Sequence, residues 1–196
     1  MTAVFEGGFA EPVFGAQSAF RLLMDAMANP GRVVDLGAGV RGPAPLDNAA
    51  ATVLAALADY DTPVWFEDEA AGDAAAWLGF HTGATRVFDP SACVFAVLSA
   101  GSNVQGWAVL PTGTSSYPDR SATLILPVGG FEGGMALALH GPGIESEVVL
   151  APVGLPAGFF AAMDANRAAF PLGFDLLLVC GGHLAALPRT TRIAEV

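Results

Sequence analysis

Apolar positions recur at helical spacing along AQSAFRLLMDAMAN (16–29), where Phe20, Leu23, Met24 and Met27 fall on one side of a helix. Pro30 and Gly31 follow at once and stop it. RVVDL (32–36) then reads as a short strand. Asp47 is a fitting N-cap for a second helix, NAAATVLAALAD, with Val53, Leu54 and Leu57 on its apolar face. TPVWF (62–66) is another strand, followed by an acidic turn and a short helix near Asp73–Phe80. ACVFAVL (92–98) is apolar at every position, as expected of a strand buried on both faces. A short helix follows around Val104–Leu110.

The second half is richer in strands. SATLILPV (121–128) and GMALALH (134–140) are two strands joined by a glycine-rich connection. GPGI (141–144) is a turn and EVVL (147–150) a further strand. Pro156 fits the first turn of a helix carrying Phe159, Phe160, Met163 and Phe170. FDLLLVC (174–180) is again apolar throughout; Gly181–Gly182 permits a two-residue hairpin turn, and HLAAL (183–187) returns. Helices that interleave with buried strands, with hairpins late in the chain, predict an α/β layered domain with a mixed sheet. No repeat, linker or low-complexity tail interrupts the pattern, so residues 1–196 read as one domain.

Composition changes this picture in one respect. Charged residues make up only 14% of the 196 and apolar residues 53%. A single domain of this size does not hide so much apolar surface, so part of it is expected to be covered by another chain. The plainer account is alanine enrichment. The net charge of −11 disfavours nucleic acid or an anionic membrane as partner. No apolar run reaches the ~18 residues of a membrane span, and MTAVFEGGFAEPVFG lacks the basic and apolar regions of a secretory signal. Cys93 and Cys180 each sit in an apolar run and are expected as buried free thiols rather than a disulfide, which fits a reducing cytoplasm. The sequence contains no lysine. That excludes a pyridoxal-phosphate Schiff base, a Walker-type phosphate loop and a lysine nucleophile.

Candidate chemistry is sparse. GAGVRG (37–42) matches the dinucleotide fingerprint, but Pro43 and Pro45 follow where a helix should start, so it reads as a glycine loop. His81, His140 and His183 are far apart and lack metal-site spacing. Asp59 and Asp61 sit beside Thr-Pro, a turn signal before it is an acid–base pair. The richest polar loop is PTGTSSYPDRSATL (111–124), where Arg120 and Ser121 stand just before a buried strand and suit a phosphate-like group. Near the end, Arg189, Thr190, Thr191 and Arg192 concentrate two of only 8 basic residues within four positions. Arginine forks suit a phosphate or carboxylate, and they equally suit an acidic neighbour in the same chain or a partner. Arg120, Ser121, Arg189, Thr190 and Thr191 are therefore the candidate ligand-binding residues. No catalytic or metal-ligating residue stands out.

AQSAFRLLMDAMANPGRV, LADYDTPVWF, FHTGA, RSATLIL, GPGI and FPLGFDLLLVCGGHLAALPRTT occur in this order. Together they resemble the PhnH family, the H subunits of the bacterial carbon–phosphorus lyase system. The resemblance covers nearly the whole chain, and its last block is the most specific. Within it Arg189 is favoured over Arg192, which lies outside the block. The resemblance implies a three-layer α/β/α sandwich with a mixed sheet, similar to pyridoxal-phosphate-dependent transferases but without the cofactor. It implies a homodimer and a core complex with G, I and J subunits. It further implies a role, with G, I and L subunits, in coupling ATP to alkylphosphonate to form ribose 1-alkylphosphonate 5-triphosphate. It supplies no catalytic residue for this subunit. The alternative expectation is an independent phosphate- or phosphonate-binding protein or enzyme.

Overall fold

The computed structural model describes residues 5–196; Met1–Val4, at the head of the stretch read for a signal, lie outside them. Helix α1 (Pro12–Ala28) begins four residues before the expected start, with Pro12 in its first turn, where a missing N–H costs nothing. It is followed by β1 (Val33–Asp35), α2 (Asn48–Leu57), β2 (Val64–Phe66), α3 (Gly72–Thr82), β3 (Arg86–Val87) and β4 (Phe95–Val97). Then come a 3-10 turn (Val104–Val109), β5 (Thr123–Pro127), β6 (Leu137–His140), β7 (Val148–Leu150) and α4 (Phe159–Ala168). The chain closes with β8 (Asp175–Cys180), β9 (His183–Leu187) and β10 (Arg192–Glu195).

Seven strands form one mixed sheet in the order β1-β9-β8-β5-β4-β2-β3. From β8 to β3 neighbours run parallel; β9 is antiparallel to both β8 and β1. The apolar runs of β4, β5 and β8 follow from burial on both faces. On one face Val64, Phe66, Val97, Ile125, Leu177 and Val179 pack under α1, α2 and α3, around Leu54, Trp77 and Leu78. On the other, Ala96, Leu124, Leu126, Leu176, Leu178 and Leu187 pack against Trp107, Phe159 and Met163. The same face is closed by a separate three-stranded antiparallel sheet, β10-β6-β7, through Leu137, Leu139, Leu150 and Ile193. The second covering layer is thus part helix and part sheet, where the α/β/α expectation has helix alone. β5 and β6, adjacent in sequence, belong to different sheets.

Local chemistry accounts for several boundaries. The Asp47 carboxylate accepts the Ala50 N–H at 2.8 Å and caps α2. Burial pushes that carboxyl up from its ordinary value, against the N–H groups of Ala50, Ala49 and Gly181 that favour its charge. Helix α4 starts later than expected. Phe159 N–H bonds the Pro156 carbonyl at 3.2 Å, and Gly158 between them takes a left-handed φ of 81°. Pro156 therefore belongs to a turn before the helix, and Phe170 lies beyond its end, exposed. Gly143 in GPGI is required by close approach: a Cβ there would sit 2.0 Å from the Ala28 carbonyl at the end of α1.

Helix α1 departs most from the amphipathic reading. Ala19, Leu23 and Ala26 are buried, whereas Phe20 and Met24 face outward, 49% and 56% exposed. Val13, Phe20 and Met24 lie within about 20° of one line along the helix at 100° per residue. Leu23 and Met27 keep the expected side, against the core, while Ala19 and Ala26 rather than Phe20 and Met24 complete the buried face where α1 lies close on α2.

Candidate functional site

The candidate residues meet at the edge of the sheet where the parallel strands begin. Asp175 opens β8, Ser121 precedes β5, and Arg189 leaves β9, whose end lies beside the start of β8 because the two run antiparallel. Arg189 crosses this edge. Its Nε and Nη2 donate to the two carboxylate oxygens of Asp175 at 3.2 and 2.6 Å. Its backbone N–H also donates to Asp175 Oδ1 at 2.9 Å. Nη1 donates to the Pro118 carbonyl at 2.8 Å, and Nη2 to the Ser121 hydroxyl. The pair is largely buried, with 13% and 20% of the two side chains exposed. Sequence reading brings Ser121 and Arg189 forward separately and has no signal for Asp175, which looks like the start of an apolar strand.

Arg189 thus spends its fork on its own chain. Ser121 is buried beneath it. Arg120 turns away and stacks on Tyr117, its guanidinium 4.2 Å from the ring centroid. Thr191 is buried, and its hydroxyl has no hydrogen-bond partner among the described residues. Thr190 lines an open cavity of about 540 Å³ together with His140, Gly141, Pro142, Arg167, Phe170, Arg189 and Arg192. Three chain segments build that cavity: the β9–β10 connection, the end of α4 and the end of β6.

Arg192 reaches the cavity because residues 192–195 form β10, a strand the sequence reading leaves undrawn. β10 pairs with β6 in antiparallel register, which sets Arg192 opposite His140 and Ile193 opposite Leu139. Ile193 and Leu139 go into the core, so the alternation of the pleat turns Arg192 and His140 outward together. His140 is held by Glu147, Nε2 to Oε2 at 3.3 Å, and lies 2.9 Å from the Ser146 carbonyl. Arg167 comes from the last turn of α4. Arg167 and Arg192 make no ion pair or side-chain hydrogen bond among the described residues, and both are exposed.

The other sequence candidates resolve into local structure. GAGVRG is an irregular loop, and α2 begins only at Asn48. Asp59 accepts the Asp61 N–H at 2.9 Å and bonds Thr62, as a turn would use it. His81 lies in the last turn of α3, Nε2 3.1 Å from the Phe5 carbonyl. Among the described residues no three His, Cys, Asp or Glu side chains gather as a metal site, and no helix is long and apolar enough to cross a membrane. Both cysteines are free; Cys93 is buried, and burial pushes its thiol up to about 11. Two polar networks escape sequence reading. Glu67, at the end of β2, accepts from Ser99 N–H at 2.7 Å and Ser102 hydroxyl at 2.9 Å, tying down the chain after β4. Asn166 exchanges two hydrogen bonds with the Phe174 backbone, at 2.8 and 2.9 Å, and clips α4 to the entry of β8.

Comparison with known proteins finds relatives along nearly the whole chain. The family model for bacterial phosphonate metabolism protein (PhnH) matches residues 7–194. A protein of Rhizobium meliloti (strain 1021), "Alpha-D-ribose 1-methylphosphonate 5-triphosphate synthase subunit PhnH", is 44% identical over 191 residues, which are 97% of this chain and 96% of that one. A protein of Stutzerimonas stutzeri, "Putative C-P lyase subunit protein HtxG", is 35% identical over 178 residues, 90% of this chain and 85% of the relative.

Proposed function

The chain belongs to the PhnH family of bacterial phosphonate metabolism proteins, and on that premise we propose that it works as the H subunit of a carbon–phosphorus lyase assembly. There it supports the ATP-dependent formation of ribose 1-alkylphosphonate 5-triphosphate from alkylphosphonate, alongside G, I and L subunits. The observation that carries this reading is the 44% identity to a synthase subunit across 97% of the chain. It acts in the cytoplasm, as a pair, within a core that includes G, I and J subunits. Supporting the paired or complexed state is the outward stripe of Val13, Phe20 and Met24 on α1, apolar surface that water disfavours. The low charge content supports the same reading.

Kinship of fold with pyridoxal-phosphate transferases belongs to the proposal too. A mixed sheet covered on both faces supports it. The donor set does not fit the cofactor, since a chain without lysine cannot form the Schiff base that holds it.

Co-expression with G, I and J counterparts, followed by native mass spectrometry, tests the reading. A complex containing two copies of this chain is expected. A chain that stays monomeric and binds none of the three would overturn it.

A further inference from the structure

We propose that the cavity between Arg167 and Arg192 is a binding site for a multiply charged phosphorus oxyanion, a polyphosphate or organic phosphate. Arg167, Arg192 and the Thr190 hydroxyl hold the anion, and Phe170 walls its organic part. The choice of phosphorus over another oxyanion rests on the family reading above; the site itself rests on this chain.

Charge is the first argument. The protein carries 19 acidic and 8 basic residues, yet three arginines and a histidine line this one cavity and no carboxylate does. Arg189 is neutralised by Asp175, and His140 is paired with Glu147. Arg167 and Arg192 are left with unmatched charge. Two such guanidinium groups repel each other, and an anion between them removes that repulsion. Each fork can offer two parallel N–H bonds to phosphate oxygens.

Geometry is the second. Arg192 is aimed by strand pairing, and Thr190, between Arg189 and Arg192 in the chain, lines the same cavity. The Arg189 side chain is a fixed wall, because three different residues accept its hydrogen bonds. The α4 end would bring partial negative charge, but the carbonyls of Ala165, Asn166 and Arg167 already accept the N–H groups of Ala169 and Phe170. A cavity of about 540 Å³ lies within the range of small-molecule sites. Phe170, 59% exposed although large and apolar, offers a ring face to a ribose, base or alkyl group.

Calorimetry on the intact protein at low salt tests the site, with inorganic triphosphate, ATP, methylphosphonate and citrate as probes. Triphosphate should bind, and ATP more tightly if Phe170 takes the organic part. Arg167→Gln and Arg192→Gln should each weaken triphosphate roughly tenfold, the loss of one charge-assisted contact. Arg21→Gln, on exposed α1 across the sheet, should change nothing. No heat with millimolar triphosphate, or an Arg167→Gln/Arg192→Gln protein that binds as well as wild type, would overturn the proposal. Citrate binding as tightly as triphosphate would overturn the phosphorus assignment. Co-purification of the double variant with its partner subunits is read in parallel. Normal assembly with lost anion binding supports the site. Lost assembly, with no anion binding by the wild type, makes the arginines partner contacts, and the family reading then stands without the site.

Discussion

Removing the Asp175 carboxylate gives the sharpest prediction, because so much converges on it. Asp175→Ala deletes the acceptors of the Arg189 backbone N–H, Nε and Nη2, at 2.9, 3.2 and 2.6 Å. The guanidinium is left largely buried with only the Pro118 carbonyl and the Ser121 hydroxyl in good geometry. Breaking a buried pair from one side costs about 3–5 kcal/mol. Two surviving bonds and the 13–20% exposure of the pair lower that to about 2–4 kcal/mol. In urea unfolding, a slope of about 2 kcal/mol per molar turns this into a midpoint shift of roughly 1–2 M. The double variant Asp175→Ala/Arg189→Met removes the stranded charge and keeps the apolar stem, so it should recover about 1 kcal/mol or more over the single variant. A single variant within about 0.5 kcal/mol of wild type, or a double variant less stable than the single, would refute the assignment of Arg189 as a structural tie.

Other outcomes follow from the same chemistry. Asp175→Ala also frees a charge at the cavity wall, so triphosphate should bind this variant more tightly than wild type in the same calorimetry. Burial raises the Asp47 carboxyl above its ordinary 3.8, so the folded chain holds that proton more tightly than the unfolded one. Stability is therefore lost as pH rises from 3.8 through the raised value. Asp47→Asn keeps the cap acceptor without the charge and should gain on wild type across that window in urea midpoints measured from pH 3 to 7; a constant difference would count against it. Cys93 is buried with its thiol pushed up to about 11, whereas Cys180 is half-buried. Ellman's reagent at pH 7.5 should label one thiol in the folded protein and two in urea, with Cys180→Ser abolishing the native reaction. Gly143→Ala forces a Cβ against the Ala28 carbonyl at a φ of +84° and should cost about 2 kcal/mol or more in urea unfolding. Gly39→Ala, in open space within GAGVRG, should stay within about 0.5 kcal/mol of wild type.

Local pattern carries a large part of the fold because much of its information is local. The apolar runs of β4 and β8, the Gly181–Gly182 hairpin and the Asp47 cap are decided by residues within a few positions of one another. The absence of lysine is likewise complete in the chain itself. Long-range partners are a different matter. Phe20 and Met24 look like core from helical spacing, and only the packing of α1 on α2 turns Ala19 and Ala26 inward in their place. β10 is short and half polar, and it becomes a strand because β6 offers it an edge. Arg189 and Arg192 are equivalent in composition. Asp175, 14 positions away in sequence, neutralises the first, while the pleat of β10 leaves the second open beside Arg167. Residue pattern shows that arginine gathers at the end of this chain; the fold alone assigns one guanidinium to structure and the other to a cavity, because charge pairing is a property of distance in space.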